Sequence, residues 1–311
     1  MIINNNFSEP SVAIVTPIFN RIGNVARYFD SLKNINYKNF KIVMVDDGSN
    51  DGSSHLIKEH YPDAVLLLGD GNLWWAGATN MGMRWAFSNG FEYILTFNDD
   101  QIGDVDFLTN LVLTAQTFPH AILSSHVFNL NDRITLHSPG IIVDTKIGKL
   151  RNVINYSEAQ VYEPYEVDIT PGYSILIPRS IISDVGYFDN IRFPQIFMEA
   201  DYCFRVKHAG YKVIMVPNSK VWNDLSDKKS DPIKSKNILK RFNWFVLNKK
   251  SHLEIKQNFN FCEVIVAFKH TSFGIHVKMW LLYLIHYLIQ LITAIFITKE
   301  IRQKMKKIIK M

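Results

Sequence analysis

The sequence is poor in cysteine, and its first ten residues are polar. Its 311 residues include Cys203 and Cys262 only, too few for a disulfide framework and too far apart for a paired metal motif. The opening residues MIINNNFSEP are polar and do not resemble the apolar core of a signal peptide. These absences predict a reducing compartment and an N-terminal part that stays in the cytoplasm.

Basic residues are scarce in the first part of the chain and concentrated in the last. Of 34 Lys and Arg and 29 Asp and Glu, residues 1–227 contain 17 and 25, and residues 228–311 contain 17 and 4. The acidic body argues against general nucleic-acid binding, which needs cations to displace counterions from phosphates. A basic tail beside apolar sequence suits an anionic membrane surface. We therefore predict no nucleic-acid partner and a domain boundary near residue 227.

Short apolar runs alternate with amphipathic stretches from Ser11 onward. The apolar runs predict strands at Val12–Phe19, Phe40–Val45, Ala64–Leu68, Tyr93–Phe97 and Tyr211–Pro217. Helical spacing predicts helices at Asn24–Leu32, Ser54–His60, Ala76–Asn89 and Phe197–Gly210. The alternation indicates an α/β domain with a mostly parallel central sheet and flanking helices, although residues 121–178 are β-like and less regular. Ligands of such sheets bind beyond the carboxyl ends of the strands.

Two adjacent carboxylates, in Asn98-Asp99-Asp100, follow the strand Tyr93–Phe97. Neighbouring carboxylates repel each other unless a cation lies beside them, and Mg²⁺ and Mn²⁺ prefer oxygen ligands. A solvated turn would use the same residue types, and it is the position after an apolar strand that favours a metal site.

A second acidic pair, Asp46-Asp47, ends the strand Phe40–Val45 and leads into Gly48 and Gly52. Asp47 could accept hydrogen bonds from a nucleobase or ribose, while the glycines permit sharp turns. A plain strand–turn–helix connection needs the same residues, so both interpretations stay open.

A glycine-rich loop, Gly69–Gly82, contains Trp74 and Trp75 and leads into a helix. Such a loop can bring backbone N–H groups to a phosphate. The alternative is a packing motif in which the two tryptophans anchor the core.

A third acidic pair, Glu199 and Asp201, lies near the start of a predicted helix. At helical spacing the two side chains diverge by about 200°, so both face one site only if the helix begins there. A carboxylate at this place could deprotonate an acceptor hydroxyl, and Arg205 could orient Asp201 through an i,i+4 ion pair. An exposed acidic helix start, favoured by the helix dipole, is the alternative.

In this order the segments resemble glycosyltransferase family 2, whose members have the GT-A fold, over Val12 to Asp224. The motifs that carry the resemblance are Thr16–Asn20, Val45–Ser49, Asn98–Asp100, Thr170–Gly172 and Glu199–Tyr211. The resemblance implies an inverting, metal-dependent enzyme that moves a sugar from a nucleoside-diphosphate sugar to a hydroxyl of a glycan or lipid-linked acceptor. Rhamnosyltransferase-like members are the most similar, and cell-surface polysaccharide synthesis is the family-level expectation.

The resemblance also implies roles for individual residues. The nucleotide-sugar site would comprise Pro17, Phe19, Asp47, Gly71, Asn72, Trp75, Asn80 and Asp99. Asp100 and Asn98 would hold Mn²⁺ or Mg²⁺, and Glu199 would be the catalytic base, with Asp201 as the alternative. Gly172, Tyr173 and Arg205 would lie on the acceptor side.

The sequence departs from the family pattern at two places. Asn98 stands where the metal motif normally begins with Asp. Asn223 stands where many members carry a metal-binding His, and Asp224 or a water molecule could substitute for it.

The C-terminal tail contains an apolar stretch, Met279–Ile297, of about the minimum length for a transmembrane helix. Polar residues recur in it at three- to four-residue spacing, which suits a helix lying in a membrane interface or packed on the domain. Six basic residues at positions 299–310 suit anionic lipid. We predict a cytoplasmic enzyme attached peripherally to the inner face of the cell membrane, with a spanning helix or an ordinary helical subdomain as alternatives.

Two other classes of protein compete with the glycosyltransferase. A sugar-phosphate nucleotidyltransferase would need a glycine-rich, basic phosphate loop near the N-terminus, where Thr16–Gly23 has only Arg21 as a basic residue. A non-catalytic, membrane-associated sugar-nucleotide-binding protein would not need the full set of acids. That set is Asp47, Asp99, Asp100, Glu199 and Asp201.

Overall fold

A computed structural model describes residues 9–144, 149–153 and 162–223, together with Leu281. The chain divides into two compact units, Met1–Asp144 with Lys149–Leu225 and Thr145–Gly148 with Ser226–Met311. Only the first unit is described in detail. The predicted boundary near residue 227 and the predicted basic tail therefore remain predictions.

No helix within the described ranges combines the length and the apolar character that crossing a bilayer requires. The apolar stretch Met279–Ile297 lies outside those ranges except for Leu281.

The described chain alternates strands and helices in its first half. The helices are α1 (Ile22–Lys33), α2 (Ser53–His60), α3 (Trp74–Ser88), α4 (Phe107–Thr117), α5 (Arg179–Val185) and α6 (Met198–His208). The strands before residue 130 are β1 (Val12–Ile18), β2 (Phe40–Asp46), β3 (Val65–Leu68), β4 (Tyr93–Phe97), β5 (Gln101–Gly103) and β6 (Ala121–Asn129). The later strands are β7 (Leu136–Ser138), β8 (Ile141–Asp144), β9 (Lys149–Asn152), β10 (Tyr165–Glu166), β11 (Ser174–Pro178) and β12 (Lys212–Asn223).

The central sheet has the strand order β10-β12-β6-β11-β4-β1-β2-β3, with β5 paired to β12 and β7 to β6. Strands β3, β2, β1 and β4 are parallel, as are β6 and β12, while β11 runs antiparallel between β4 and β6. Strands β8 and β9 form a separate hairpin. The predicted α/β class with a mostly parallel central sheet and flanking helices is confirmed.

Helix α1 illustrates how the sequence pattern builds the core. Val25, Tyr28, Phe29 and Leu32 recur at three- to four-residue spacing, and these four are the buried residues of α1. The Tyr28 hydroxyl lies 2.6 Å from the Thr16 hydroxyl of β1, so its polar atom is satisfied in the core.

Strand β12 extends six residues beyond the predicted end at Pro217. Its parallel pairing with β6 shifts register between Val216 and Lys220 and then continues to Asn223. Proline has no N–H to donate to a ladder, which accounts for the interruption at this place. The continuation matters because it carries Asn223 alongside Gln101 of β5, next to Asp100.

Candidate active site

The loops after β1, β2 and β4 converge at the carboxyl edge of the parallel half-sheet. Strand β2 lies on one side of β1 and β4 on the other, so the chain changes direction of winding around β1. Ligands of open α/β sheets bind in the crevice at such a switch point. The predicted acidic pairs follow β2 and β4, and the structure brings both to this edge.

Asp47, after β2, organises the glycine-rich loop. Its Oδ1 accepts the backbone N–H of Gly71 at 2.9 Å, and its Oδ2 accepts those of Leu73 and Trp74 at 3.0 Å each. Because these N–H groups lie at or near the start of α3, the carboxylate also meets the positive end of that helix. The structure thus gives Asp47 a loop-holding role in addition to the nucleotide contact expected from the sequence.

Asn98 is held by Trp75. The indole N–H of Trp75 donates to Asn98 Oδ1 at 2.9 Å, and the backbone N–H of Asn98 donates to Gln101 Oε1 at 2.9 Å. The contact joins the glycine-rich loop to the turn after β4. It also occupies the oxygen that the sequence assigned to a metal ion, so the observed contacts of Asn98 are structural.

Asp99 is anchored by the start of α1. Its Oδ2 accepts Nε–H of Arg21 at 2.7 Å and Nδ2–H of Asn24 at 2.9 Å. From the sequence, Arg21 stands out only as the single basic residue of Thr16–Gly23, and Asn24 only as the start of a predicted helix. The single signal was an isolated cation in the loop after β1.

Asp100 has a carboxylate oxygen that nothing in the described part of the chain satisfies. Its Oδ1 is buried without a hydrogen-bond partner there, and its Oδ2 lies 3.7 Å from a guanidinium nitrogen of Arg21. Burial, reinforced by the charge of Asp99, raises the pKa of Asp100 to about 6. An oxygen with these properties is a suitable ligand for a hard cation.

A second unsatisfied oxygen lies on the neighbouring strand. Asn223 pairs with Gln101, the residue after Asp100, and its Oδ1 is buried without a partner among the described residues. Asn223 occupies the place where the family resemblance expects a metal-binding His. Asp224 lies outside the described residues.

No group of three or more His, Cys, Asp or Glu side chains suited to a metal ion occurs within the described ranges. A cation here would depend on oxygens from Asp100 and Asn223 together with oxygens from its substrate, as is common for Mg²⁺ bound to phosphates.

Glu199, in the first turn of α6, is an acid without a counterion among the described contacts. Its Oε2 is buried and has no hydrogen-bond partner there, and this burial raises the pKa of Glu199 to about 7. A carboxyl group with such a pKa can lose and regain a proton near neutral pH, which is what general-base catalysis requires.

Asp201 has a different environment in the same helix turn. Its Oδ2 accepts Nε–H of Arg205 at 2.8 Å, and its Oδ1 accepts an N–H of Arg192 at 3.2 Å. The i,i+4 pair with Arg205 follows the predicted spacing. Arg205 also donates to the backbone carbonyls of Val185 and Tyr187, so both residues hold the loop before α6 in place.

Tyr173 lies within electrostatic range of both unsatisfied acids. Burial is the main cause of its raised pKa, and the charges of Asp100 and Glu199 both add to it, so its ring lies within electrostatic range of each. Gly172 packs against the side chain of Glu199. A Cβ atom at Gly172 would lie 3.3 Å from Glu199 Cγ and Cδ. The turn after β4, the segment before β11 and the start of α6 therefore converge.

The remaining residues predicted to bind the nucleotide sugar differ in how exposed they are. Phe19 is 54% exposed at the sheet edge after β1, where Pro17 is half-buried, and Asn72 is exposed in the glycine-rich loop. Asn80 instead lies within α3, 4% exposed, where its amide exchanges hydrogen bonds with the backbone of Phe188. The contacts of Asn80 position a loop.

Three non-glycine residues around the cleft have left-handed backbone conformations. Asn20, Trp74 and Phe197 have φ values of 53°, 58° and 66°, and they directly precede Arg21, Trp75 and the first turn of α6. Such conformations cost on the order of 1–3 kcal/mol and cluster at functional sites.

The model of the family "Glycosyl transferase family 2" matches residues 13–186, which is more than half of the chain. The chain belongs to glycosyl transferase family 2. It is thus a glycosyltransferase, and the resemblance drawn from the motifs is confirmed.

Curated relatives of this glycosyltransferase have related activities. It is 24% identical over 267 residues to the dTDP-rhamnosyl transferase RfbF of Shigella flexneri, a match that covers 80% of this chain and 86% of RfbF. It is 21% identical over 188 residues to glycosyltransferase GlyA of Streptococcus pneumoniae, covering 60% of this chain and 26% of GlyA.

Solved structures share its GT-A fold. GalNAc-T7, crystallised with UDP, GalNAc and Mn²⁺, superposes with a TM-score of 0.61 at 13% identity, covering 88% of this chain and 57% of that one. TarS residues 1–349 of S. aureus, in complex with UDP-GlcNAc, superposes with a TM-score of 0.50 at 12% identity, covering 92% and 81%.

Proposed function

We propose that this glycosyltransferase transfers a sugar from a nucleoside-diphosphate sugar to a hydroxyl group of a glycan or lipid-linked acceptor, with inversion at the anomeric carbon. The observation that carries the proposal is the pair of unsatisfied buried acids, Asp100 and Glu199, with Tyr173 near both. One acid suits the donor diphosphate through a cation, and the other suits the acceptor hydroxyl.

The proposed donor side uses oxygens that have no partner among the described residues. Asp100 would hold Mn²⁺ or Mg²⁺, with Asn223 as a second ligand, while Asn98 supports the turn through Trp75. When bound, the cation would supply positive charge that stabilises the departing nucleoside diphosphate. Asp99, fixed by Arg21 and Asn24, would contact the ribose or the sugar.

The proposed acceptor side assigns the base to Glu199. Its carboxylate takes the proton of the acceptor hydroxyl as the oxygen attacks the anomeric carbon and the bond to the diphosphate breaks. Attack from the face opposite the leaving group inverts the configuration. Asp201 is unsuited to this step because two arginines already bind its carboxylate.

We further propose a role in cell-surface polysaccharide synthesis, with the basic C-terminal tail attaching the enzyme peripherally to the inner face of the cell membrane. The charge of residues 228–311 supports this proposal. Flotation of the full-length protein with vesicles of anionic and of zwitterionic lipid tests it. Protein that stays unbound in the presence of both kinds of vesicle would contradict it.

The test of the proposed reaction is a donor panel with and without Mn²⁺. dTDP-rhamnose belongs first in the panel because RfbF spans most of this chain, followed by UDP-GlcNAc and UDP-GalNAc. We expect one donor to raise the melting temperature of the protein only when the metal is present. Wild-type protein should consume that donor, and Glu199→Gln should not. Equal turnover of wild type and Glu199→Gln would eliminate Glu199 as the base.

A further inference from the structure

Arg21 lies against both carboxylates of the proposed metal turn. Its Nε–H donates to Asp99 Oδ2 at 2.7 Å, and its other guanidinium end lies 3.7 Å from Asp100 Oδ2. The side chain of Arg21 is 28% exposed and those of Asp99 and Asp100 are 11% and 25% exposed, so solvent screens these charges only in part.

The backbone that presents Arg21 is fixed by the loop after β2. The N–H of Asn20 donates to Ser49 Oγ at 2.7 Å, and Asn20 Oδ1 accepts the N–H of Asn50 at 2.9 Å. On the other side of Arg21, the N–H of Ile22 donates to Asp51 Oδ2 at 2.9 Å. These contacts hold the backbone on both sides of Arg21, so a movement of the guanidinium would have to take place through its side-chain torsions.

A guanidinium at this position repels any cation that approaches Asp100. It also has a strong affinity for phosphate oxygens, which it can bind in a bidentate manner. A nucleoside diphosphate entering the cleft would therefore offer Arg21 a new anionic partner at the same time as it offers the metal new ligands.

We propose that Arg21 couples metal binding to nucleotide binding, competing with the divalent cation for Asp100 until a nucleoside diphosphate draws the guanidinium away. The inference rests on the proposed metal-dependent transfer. It makes free enzyme a poor metal binder and nucleotide-bound enzyme a good one. Because coupling is reciprocal, the metal strengthens nucleotide binding by the same factor.

The experiment titrates full-length protein with Mn²⁺, following free and bound ion by electron paramagnetic resonance, alone and with UDP or dTDP. Arg21→Gln removes the charge, and we expect it to bind Mn²⁺ about tenfold more tightly without nucleotide. Nucleotide should then raise its Mn²⁺ affinity by a smaller factor than in wild type, because only the gain from the new phosphate ligands remains. Metal affinity in Arg21→Gln that is unchanged or lower would overturn the inference.

Two control variants separate charge from positioning. Asn24→Ala removes the other donor to Asp99 Oδ2 without changing the charge, so its Mn²⁺ affinity should stay at the wild-type value. Arg27→Gln removes a cation that also acts on Asp100, and should change affinity in the same direction as Arg21→Gln but less. An effect of Asn24→Ala as large as that of Arg21→Gln, or a larger effect of Arg27→Gln, would assign the result to another cause and overturn the inference.

The outcome also distinguishes this inference from the proposed function. Wild-type protein that bound no Mn²⁺ with either nucleotide would overturn the metal centre and the coupling together. Wild-type protein that bound Mn²⁺ equally well with and without nucleotide would leave the metal centre standing and overturn the coupling alone.

Discussion

Adjacent acids stand at the ends of two strands of the parallel half-sheet, and only the pair after β4 has a member with a buried oxygen that no described residue satisfies. After β2, Asp46 accepts hydrogen bonds from the N–H of Ser49 and the hydroxyl of Ser54, and Asp47 accepts three backbone N–H groups. After β4, Asp100 keeps a buried oxygen without a partner among the described residues. The satisfied pair holds loops together, whereas the unsatisfied acid remains available for a ligand.

The same contrast recurs within one turn of α6. Asp201 is bound by Arg192 and Arg205, while Glu199 has an unpaired buried oxygen in the described structure. Leaving a buried acid unsatisfied lowers stability, and such a group is more typical of a functional site than of a structural one. The hydrogen bonds in the structure therefore distinguish Glu199 from Asp201, which the sequence could only treat as one acidic pair.

The largest expected effect comes from the unsatisfied acid of the β4 turn. Asp100→Asn keeps the shape but removes the charge, and we expect transfer to fall by about 10²–10³-fold, as on loss of other transition-state charge stabilisation. The melting temperature should stay equal or rise, since a buried charge is removed. Initial rates and thermal melts measure both. An Asp100→Asn variant that transfers sugar at a near-normal rate would show that the unsatisfied oxygen of Asp100 has no role in the reaction.

Asp47, whose carboxylate is fully hydrogen-bonded, should show the reverse pattern, because its replacement lowers stability. Asp47→Ala leaves three backbone N–H groups without their acceptor, and we expect a loss of about 2–4 kcal/mol in the free energy of unfolding. Asp63→Ala, at an exposed acid, is the matched control and should be close to neutral. Urea unfolding curves measure both variants. A stability of Asp47→Ala equal to that of the control would show that its hydrogen bonds do not hold the loop.

The contribution of Glu199 to the free energy of unfolding should change with pH in the direction opposite to that of an ordinary paired acid. Because burial raises its pKa from 4.5 to about 7, the folded protein retains a proton that the unfolded chain has lost in this range. Its contribution therefore makes wild-type stability fall as pH rises from about 4.5 to 7. Glu199→Gln avoids this loss and should be more stable than wild type at about pH 8 by on the order of 1–3 kcal/mol.

Asp201→Asn is the matched variant for that experiment. It lies in the same helix turn, but it breaks contacts with Arg192 and Arg205, so we expect it to unfold more readily than wild type. Chemical unfolding of both variants at about pH 5 and pH 8 gives the comparison. A Glu199→Gln advantage that is the same at both pH values would refute the assigned environment of Glu199.

The smallest effect is expected at Gly172. A methyl group there would lie 3.3 Å from Glu199 Cγ and Cδ, which is close enough to displace the carboxyl group by a few tenths of an ångström. Gly172→Ala should reduce transfer by about 3- to 10-fold, because misplaced catalytic groups lose rate steeply. Binding of UDP or dTDP should remain at the wild-type value. A drop in nucleotide affinity as large as the drop in rate would place Gly172 on the donor side instead.

The sequence predicted the elements whose periodicity is strong. The four apolar residues of α1 form its one buried face, and the strand Tyr93–Phe97 is buried at four consecutive residues, as its continuous apolar run predicts. The acidic turn at Asp99-Asp100 was recognised by its place after a strand. Helices α4 and α5 and the short strand β5 were not predicted, and they lie outside or between the segments that carry the family motifs.

Contacts between distant side chains could not be predicted from the sequence. The bond from Trp75 to Asn98 and the anchoring of Asp99 by Arg21 join positions 23 and 78 residues apart. No local pattern encodes such a pairing, because it depends on which loops the sheet order brings together. For the same reason the sequence grouped Glu199 with Asp201, although Glu199 has an unsatisfied buried oxygen in the described structure and Asp201 binds two arginines.

The hydrogen bond from the Trp75 indole to Asn98 gives the protein an optical reporter. Indole emission responds to changes in its hydrogen bonding and in nearby charge, and this indole contacts the turn that carries Asp100. Subtracting the spectrum of Trp75→Phe from that of wild type would isolate its signal from the five other tryptophans. Ligand arrival at the turn can then be followed in real time on unlabelled protein.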